Sequence, residues 1–150
     1  ENMSLWKNIY PGKRCFIVGN GPSLNKMDLS LLKNEYTFGA NRIYLLFKEL
    51  GFETSFLACV NPHVIKQFQS DFHQLDCPKF FAAEHKNILT ETPKNSFFLP
   101  PQDAGTPCFH KDLTKGLWWG ATVTFVSIQL AFYMGFHEVY LIGVDHSYKD

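Results

Sequence analysis

The chain has 150 residues, 45% of them hydrophobic and 16% aromatic, with fifteen Phe. That supports one domain with a ring-packed core and excludes two. Fourteen basic and fourteen acidic side chains give zero formal net charge, which argues against a nucleic-acid surface with its clustered positive excess but leaves room for a small anion held by backbone amides.

Trp6 to Gly12 reads as a lead-in that closes in a Pro-Gly turn. Arg14 to Val18 is a short apolar run ending at Gly19, the pattern of a buried parallel strand. The loop Gly19 to Ser23 follows, then Leu24 to Leu32, predicted helical with Leu24, Met27, Leu31 and Leu32 on one side. Tyr36 to Ala40 is a second predicted strand, and Arg42 to Leu50 a helix with Ile43, Leu46, Phe47 and Leu50 at helical spacing, closed by Gly51. Ser55 to Val60 is a third strand, ended by Asn61-Pro62, and His63 to Phe72 an amphipathic helix. Lys79 to Ala83 and Asn95 to Leu99 are further strands. Pro100 to Lys115 is irregular and long enough for a functional loop. Ala121 to Met134 is a strong helix closed by Gly135, and Glu138 to Ile142 a strand ending at Gly143.

Strands alternating with helices predict an α/β, Rossmann-like, mostly parallel sheet with helices on both faces, and ligands of such sheets bind at the carboxyl ends of the strands. Cys15, Cys59, Cys77 and Cys108 form no C-x-x-C pair, so neither a zinc site nor a disulfide framework is expected; reduced thiols point to a cytoplasmic setting. Lys7 and Pro11 break any apolar leader, and Gly135 with His137-Glu138 interrupts the most apolar stretch, so no transmembrane segment is expected. Asp150 follows Gly143-Val144-Asp145 closely, so residues 1–150 read as a single nucleotide-binding domain, a fragment of a longer protein.

The candidate site residues gather at the predicted strand ends. In Gly19-Asn20-Gly21-Pro22-Ser23 the two glycines permit a sharp turn and close approach to a phosphate, Pro22 stiffens the exit, and Ser23 offers a helix cap and a hydroxyl. This is neither a Walker loop nor a G-x-G-x-x-G fingerprint, and a plain strand-to-helix turn fits the spacing equally. Asn41 and Asn61 each close a strand; an amide there reads a ribose hydroxyl or a base edge, or serves only the turn. Gly143 and Asp145 form another strand end, where Asp145 could hold a ribose, a metal or a catalytic proton, or cap a turn, and His146 could act as a base. Gly120 allows close approach before the strongest helix, and Thr122 and Thr124 add hydroxyls at its anion-favouring N-terminus. Trp118 and Trp119 read first as packing or homo-oligomer contacts, and Arg14 and Arg42 as phosphate partners or surface ion pairs. The histidines lack metal-ligand spacing and there is no D-x-D triplet, so no metal residue is assigned.

The ordered set Ile17 to Leu24, Asn41, Asn61-Pro62, Gly120 with the helix to Gly135, and Glu138 to Asp145 resembles the DUF115 family, which includes proteins similar to archaeal 6-hydroxymethylpterin diphosphokinase (MptE-like). The same landmarks are similar to those of the bacterial sialyltransferases of glycosyltransferase family 42. That resemblance implies a GT-A-like variant of the Rossmann fold, metal-independent transfer from a CMP-sugar donor to a glycan acceptor in surface-polysaccharide synthesis, and no further cofactor. It implies that Gly19 to Ser23 hold the nucleotide and that Asn41 and Asn61 contact the donor. Gly120 matches a Ser-Gly whose Ser is Trp119 here. The family's basic His lies downstream of the Gly-x-Asp strand, beyond this chain, and Tyr148 stands near a tyrosine that assists departure of the phosphate. The diphosphokinase resemblance implies instead ATP and Mg²⁺ with Asp145 as a carboxylate ligand. A non-catalytic nucleotide-binding module is the third reading.

Overall fold

The computed structural model describes residues 2–101, 107–120 and 122–145. Six strands, β1 (Arg14–Val18), β2 (Tyr36–Ala40), β3 (Phe56–Cys59), β4 (Lys79–Ala82), β5 (Ser96–Leu99) and β6 (Glu138–Ile142), form one sheet in the order β5-β4-β3-β2-β1-β6. Every neighbouring pair is parallel. The chain winds outward from β1 to β5, then crosses back to lay β6 on the other side of β1. The sheet therefore reverses direction between β1 and β6, and the crevice outside the carboxyl ends of those two strands is where this architecture places ligands.

Alternation along the strands divides the apolar residues between two faces. Cys15, Ile17, Phe38, Phe56, Ala58, Phe80 and Leu99 point to one side, where they meet Val126, Leu130, Ala131 and Met134 of α3 (Val123–Tyr133). The lead-in closes this face: Trp6 sets its ring edge-to-face against Phe56, Phe80 and Phe97 at 5.8, 5.3 and 5.0 Å. Val18, Leu57, Cys59 and Phe81 point to the other side, against Leu24, Leu32, Ile43 and the helix α2 (Pro62–Phe72), which buries Ile65 and Phe72. The predicted fold, a parallel α/β sheet covered on both faces, is the one observed.

Two predicted helices differ in kind. Leu24 to Leu32 is two 3₁₀ turns, Pro22–Lys26 and Leu29–Leu32, separated by Met27 and Asp28 in extended conformation. Asp28 is the cause: its carboxylate accepts the Ser30 N–H at 3.1 Å, giving the backbone a local partner in place of a continuing helix. Leu24 and Leu32 are buried, whereas Met27 and Leu31 are exposed, so the four do not share a buried side. Arg42 to Leu50 is a 3₁₀ turn, Ile43–Leu46, running into a single α turn, α1 (Phe47–Leu50), which Gly51 ends at φ 72°. A further 3₁₀ helix, Ala83–Ile88, follows β4 where no element was expected.

Two inner polar side chains hold loops to the sheet. Lys79 of β4 is fully buried, and its Nζ donates to the carbonyls of Leu75 and Cys77 at 2.8 and 2.9 Å. Gln129 of α3, also fully buried, donates from Nε2 to the Trp118 carbonyl at 2.8 Å and accepts the His110 N–H at 3.0 Å. Gln129 thereby fastens the irregular segment before α3 onto the helix itself.

Candidate functional site at the carboxyl edge of the sheet

The glycine loop leaves β1 and folds directly onto the end of β6. The Gly19 N–H donates to the Ile142 carbonyl at 2.9 Å, the Gly21 N–H to the Gly143 carbonyl at 2.8 Å, and the Ser23 N–H to the Asp145 carboxylate at 2.7 Å. A methyl group on Gly19 would overlap the Gly143 carbonyl, and one on Gly21 would overlap the Asp145 carboxylate and stand 2.7 Å from the Gly143 oxygen. Glycine is thus required at both positions by the closeness of two backbones. These contacts also engage three amides that a phosphate cradle would use. Of the loop's backbone amides, the Asn20 N–H meets no acceptor among the described residues.

Ser23 is not the expected helix cap: Gly21 occupies that place, Pro22 is the first residue of the turn, and Ser23 lies inside it. Asp145 satisfies the Ser23 amide from across the crevice, so it at least ties the two strand ends together. Gly143 adopts φ 62° beneath Leu24, whose side chain fills the space a Cβ would need.

The three asparagines behave differently. Asn20 is exposed, and its Nδ2 donates to the Ala40 carbonyl at 3.2 Å, linking the loop to the end of β2. Asn61 caps α2, its Oδ1 accepting the His63 and Val64 amides at 2.9 and 3.4 Å. Asn41 adopts φ 52°, and its buried Oδ1 has no hydrogen-bond partner among the described residues. Asn8 and Asn95 share this left-handed backbone at φ 54°, so it is the unpaired buried oxygen that sets Asn41 apart.

Two cavities open along this edge and share Thr122 and Val123 as a common wall. The smaller, about 290 Å³, is bounded by Gly19, Asn20, Gly21, Thr124, Gly143 and Asp145 and lies at the β1–β6 reversal. The larger, about 670 Å³, is bounded by Asn41, Asn61, His63, Glu84, His85 and Trp119. Thr122 caps α3, its Oγ1 accepting the Thr124 N–H at 3.0 Å, so the positive end of that helix dipole sits between the two cavities. Gly120 turns the chain into the cap at φ 58°. Among the described residues, no Lys or Arg lines either space.

The arginines lie elsewhere. Arg14 opens β1 at the opposite edge of the sheet and pairs with Glu35, and its hydrogen bond holds the Glu35 carboxyl below its ordinary value. The Arg42 guanidinium lies 3.5 Å from the ring centroid of Phe68. Ion pairing and ring stacking account for both. His146 and Tyr148 fall outside the described residues. Among those described, no three His, Cys, Asp or Glu side chains gather as metal ligands.

Sequence reasoning passed over His63, Glu84 and His85 as site residues, and read Trp119 first as packing. His63 follows Asn61-Pro62 at the end of β3 and was within reach of the strand-end argument. Glu84 and His85 sit in the unexpected 3₁₀ helix after β4, where no spacing signalled them.

A parallel sheet reversing between β1 and β6, with its cavities at the carboxyl ends, defines the Rossmann-like α/β fold class. Within that class the chain belongs to the MptE-like family, 6-hydroxymethylpterin diphosphokinase MptE-like, whose model matches residues 1–150. No curated protein sequence matches it. Among solved structures it is similar to the MAf glycosyltransferase from Magnetospirillum magneticum AMB-1, with a TM-score of 0.60 and 17% sequence identity over 97% of this chain. The chain spans 27% of that protein. The shared feature is the parallel α/β fold, and no helix among the described residues is long and apolar enough to cross a membrane.

Proposed function

We propose that the domain binds a nucleotide-sugar, of the CMP-sugar type, across the two joined cavities and serves sugar transfer to a glycan acceptor in surface-polysaccharide synthesis. The observation that carries the reading is the pair of adjoining spaces along the carboxyl edge of the sheet, one narrow and bounded by the glycine loop, the other wider and lined by amides, imidazoles and Trp119. A nucleotide-sugar is a molecule of two unlike halves joined by phosphate, and the capped N-terminus of α3 stands at the junction of the two spaces. With no Lys or Arg among the described residues of either wall, the helix end and the Asn20 amide are the positive groups that would face the phosphate. Transfer would be direct displacement at the anomeric carbon, with those fixed dipoles stabilising the departing CMP. The order of landmarks from Ile17 to Asp145 supports the sialyltransferase-like, metal-independent form of the reaction.

The family description favours a second reading, diphosphoryl transfer from ATP with Mg²⁺ to a pterin-like substrate. Asp145 is the carboxylate at the glycine loop, and it already accepts the Ser23 amide. Such transfer ordinarily uses more than one oxygen ligand from the protein. Calorimetric titration separates the two. Saturable binding of CMP without metal, weakened at least tenfold by Asn20→Ala, is the expected result. Binding of ATP only with Mg²⁺ would establish the diphosphokinase reading, and binding of neither would reduce the glycine loop to a structural turn.

A further inference from the structure

The helix α3 is apolar on every side. From Gly116 to Phe136 the sequence holds no charged residue. Its polar side chains Ser127 and Gln129 are buried, Ser127 donating back to the Val123 carbonyl at 2.9 Å. A surface helix normally turns a charged stripe to water, and one that is apolar all round is built for burial on more than one side. The inner side of α3 packs on β1, β2 and β3. The outer side carries Phe125, Ile128 and Phe132 along one stripe, at positions i, i+3 and i+7. Phe132 is 46% exposed, and Phe109, 40% exposed, sets its ring edge-on against Phe125 and Phe132 at 6.1 and 5.3 Å. On the same face of the sheet, Leu141 of β6 is 47% exposed. The other border of the sheet is covered: Trp6 of the lead-in packs on β5, whose Phe97 and Leu99 are buried.

We propose that the outer stripe of α3 is the face on which a second copy of this chain docks, the two helices packing antiparallel about a twofold axis near Ile128. A twofold contact sets a surface against itself, so it suits a patch without charge and disfavours one of a single sign. Phe125 of one copy then meets Phe132 of the other, Ile128 meets its own counterpart, and the Phe109 rings close the flanks. The helix charges agree with this arrangement. Antiparallel packing lays the negative C-terminal end of each α3, followed by the exposed Glu138, beside the positive N-terminal end of the other. A lipid surface is the poorer fit, since helices that lie on membranes carry Lys or Arg along a polar face, and α3 has neither.

The test is the oligomeric state of the full chain. Sedimentation equilibrium from about 1 to 200 µM should show a reversible monomer–dimer equilibrium with a Kd on the order of 10 µM. Phe132→Glu should weaken that Kd at least about 30-fold, with the thermal melt and the CMP titration of wild type. Leu5→Glu, at a lead-in residue 68% exposed, should leave the dimer intact. A second measurement avoids the introduced charge: Ile128→Cys, made together with Cys108→Ser, should give a covalent dimer with a short bis-maleimide, and Leu5→Cys in the same background should not. A monomer throughout the concentration range, an assembly untouched by Phe132→Glu, or cross-linking at Leu5 and not at Ile128 would overturn the proposal. So would a monomer that binds phosphatidylcholine vesicles and loses them in Phe132→Glu, which would assign the stripe to a lipid surface.

Discussion

The Cα of Gly21 faces the carbonyl of Gly143 and the carboxylate of Asp145, so any side chain there must move one of two strand ends that the sheet holds in register. Gly12 offers the contrast: it has φ 71° but open space around it, so a methyl group meets only backbone strain. We expect Gly21→Ala to destabilise the fold by about 3 kcal/mol through overpacking of the crevice, against about 1 kcal/mol for Gly12→Ala, both measured by urea denaturation. Asn41 presents the opposite case, since the residue itself is the strained part. Asn41→Gly relieves the left-handed backbone and removes the unpaired Oδ1. Its stability should stay within about 1 kcal/mol of wild type, while affinity for the CMP-sugar falls by at least tenfold. A loss of several kcal/mol with affinity intact would make Asn41 a turn residue.

At the scale of elements, the site is held by side chains that replace missing secondary structure. The irregular run ahead of α3 is anchored through Gln129, which satisfies the His110 amide and the Trp118 carbonyl from inside the core. In Gln129→Leu those two groups lose their partners, so we expect a loss of about 2 kcal/mol and faster hydrogen exchange at His110. Unaltered exchange there would mean that the segment is held by other contacts. The stretch from Pro22 to Leu32 shows why periodicity alone was a poor guide to its form. Leu24 and Leu32 satisfied a helical pattern, but Asp28 between them competes for the backbone, and two short turns result. The 3₁₀ helix Ala83–Ile88 escaped notice because Ala-Glu-His-Lys-Asn has no apolar period at all, and its place is set by the end of β4. Glu84 and His85 reach the cavity only through that placement.

The whole molecule carries three thiols in the cores on both faces of the sheet, Cys15 on one and Cys59 and Cys77 on the other. Burial pushes their pKa values up from 9.0 to about 12, 12 and 11 respectively. In the unfolded chain these thiols lose their protons near pH 9 while the folded chain keeps them, so the unfolded state binds fewer protons and stability falls as pH rises from 9 towards 12. Tyr44, pushed by burial to about 12, acts in the same direction above pH 10, and the lowered pKa of buried Lys79 opposes it. Each withheld ionisation contributes a slope of up to about 1.4 kcal/mol per pH unit. Urea midpoints measured between pH 8 and pH 10.5 should fall steadily, and the fall should be shallower in Cys59→Ala. A flat profile would mean that these thiols are open to solvent in the native state.

The sequence by itself determined the sheet. Short β-branched and aromatic runs such as Arg14–Val18 and Ser96–Leu99 are separated by Gly, Asn and Pro, and that local chemistry names the strands, their parallel sense and the crowded carboxyl edge. The ordered landmarks from Ile17 to Asp145 carried the family as well. Only the tertiary structure decided which strand ends meet. Pairing β6 beside β1 brings Gly143 and Asp145 onto the glycine loop from more than a hundred residues away and commits three of its amides to the protein. The same folding sets Glu84 and His85 across a cavity from α3. Strands follow from neighbours along the chain, whereas a site at a sheet reversal is made by neighbours in space, and no local spacing records them.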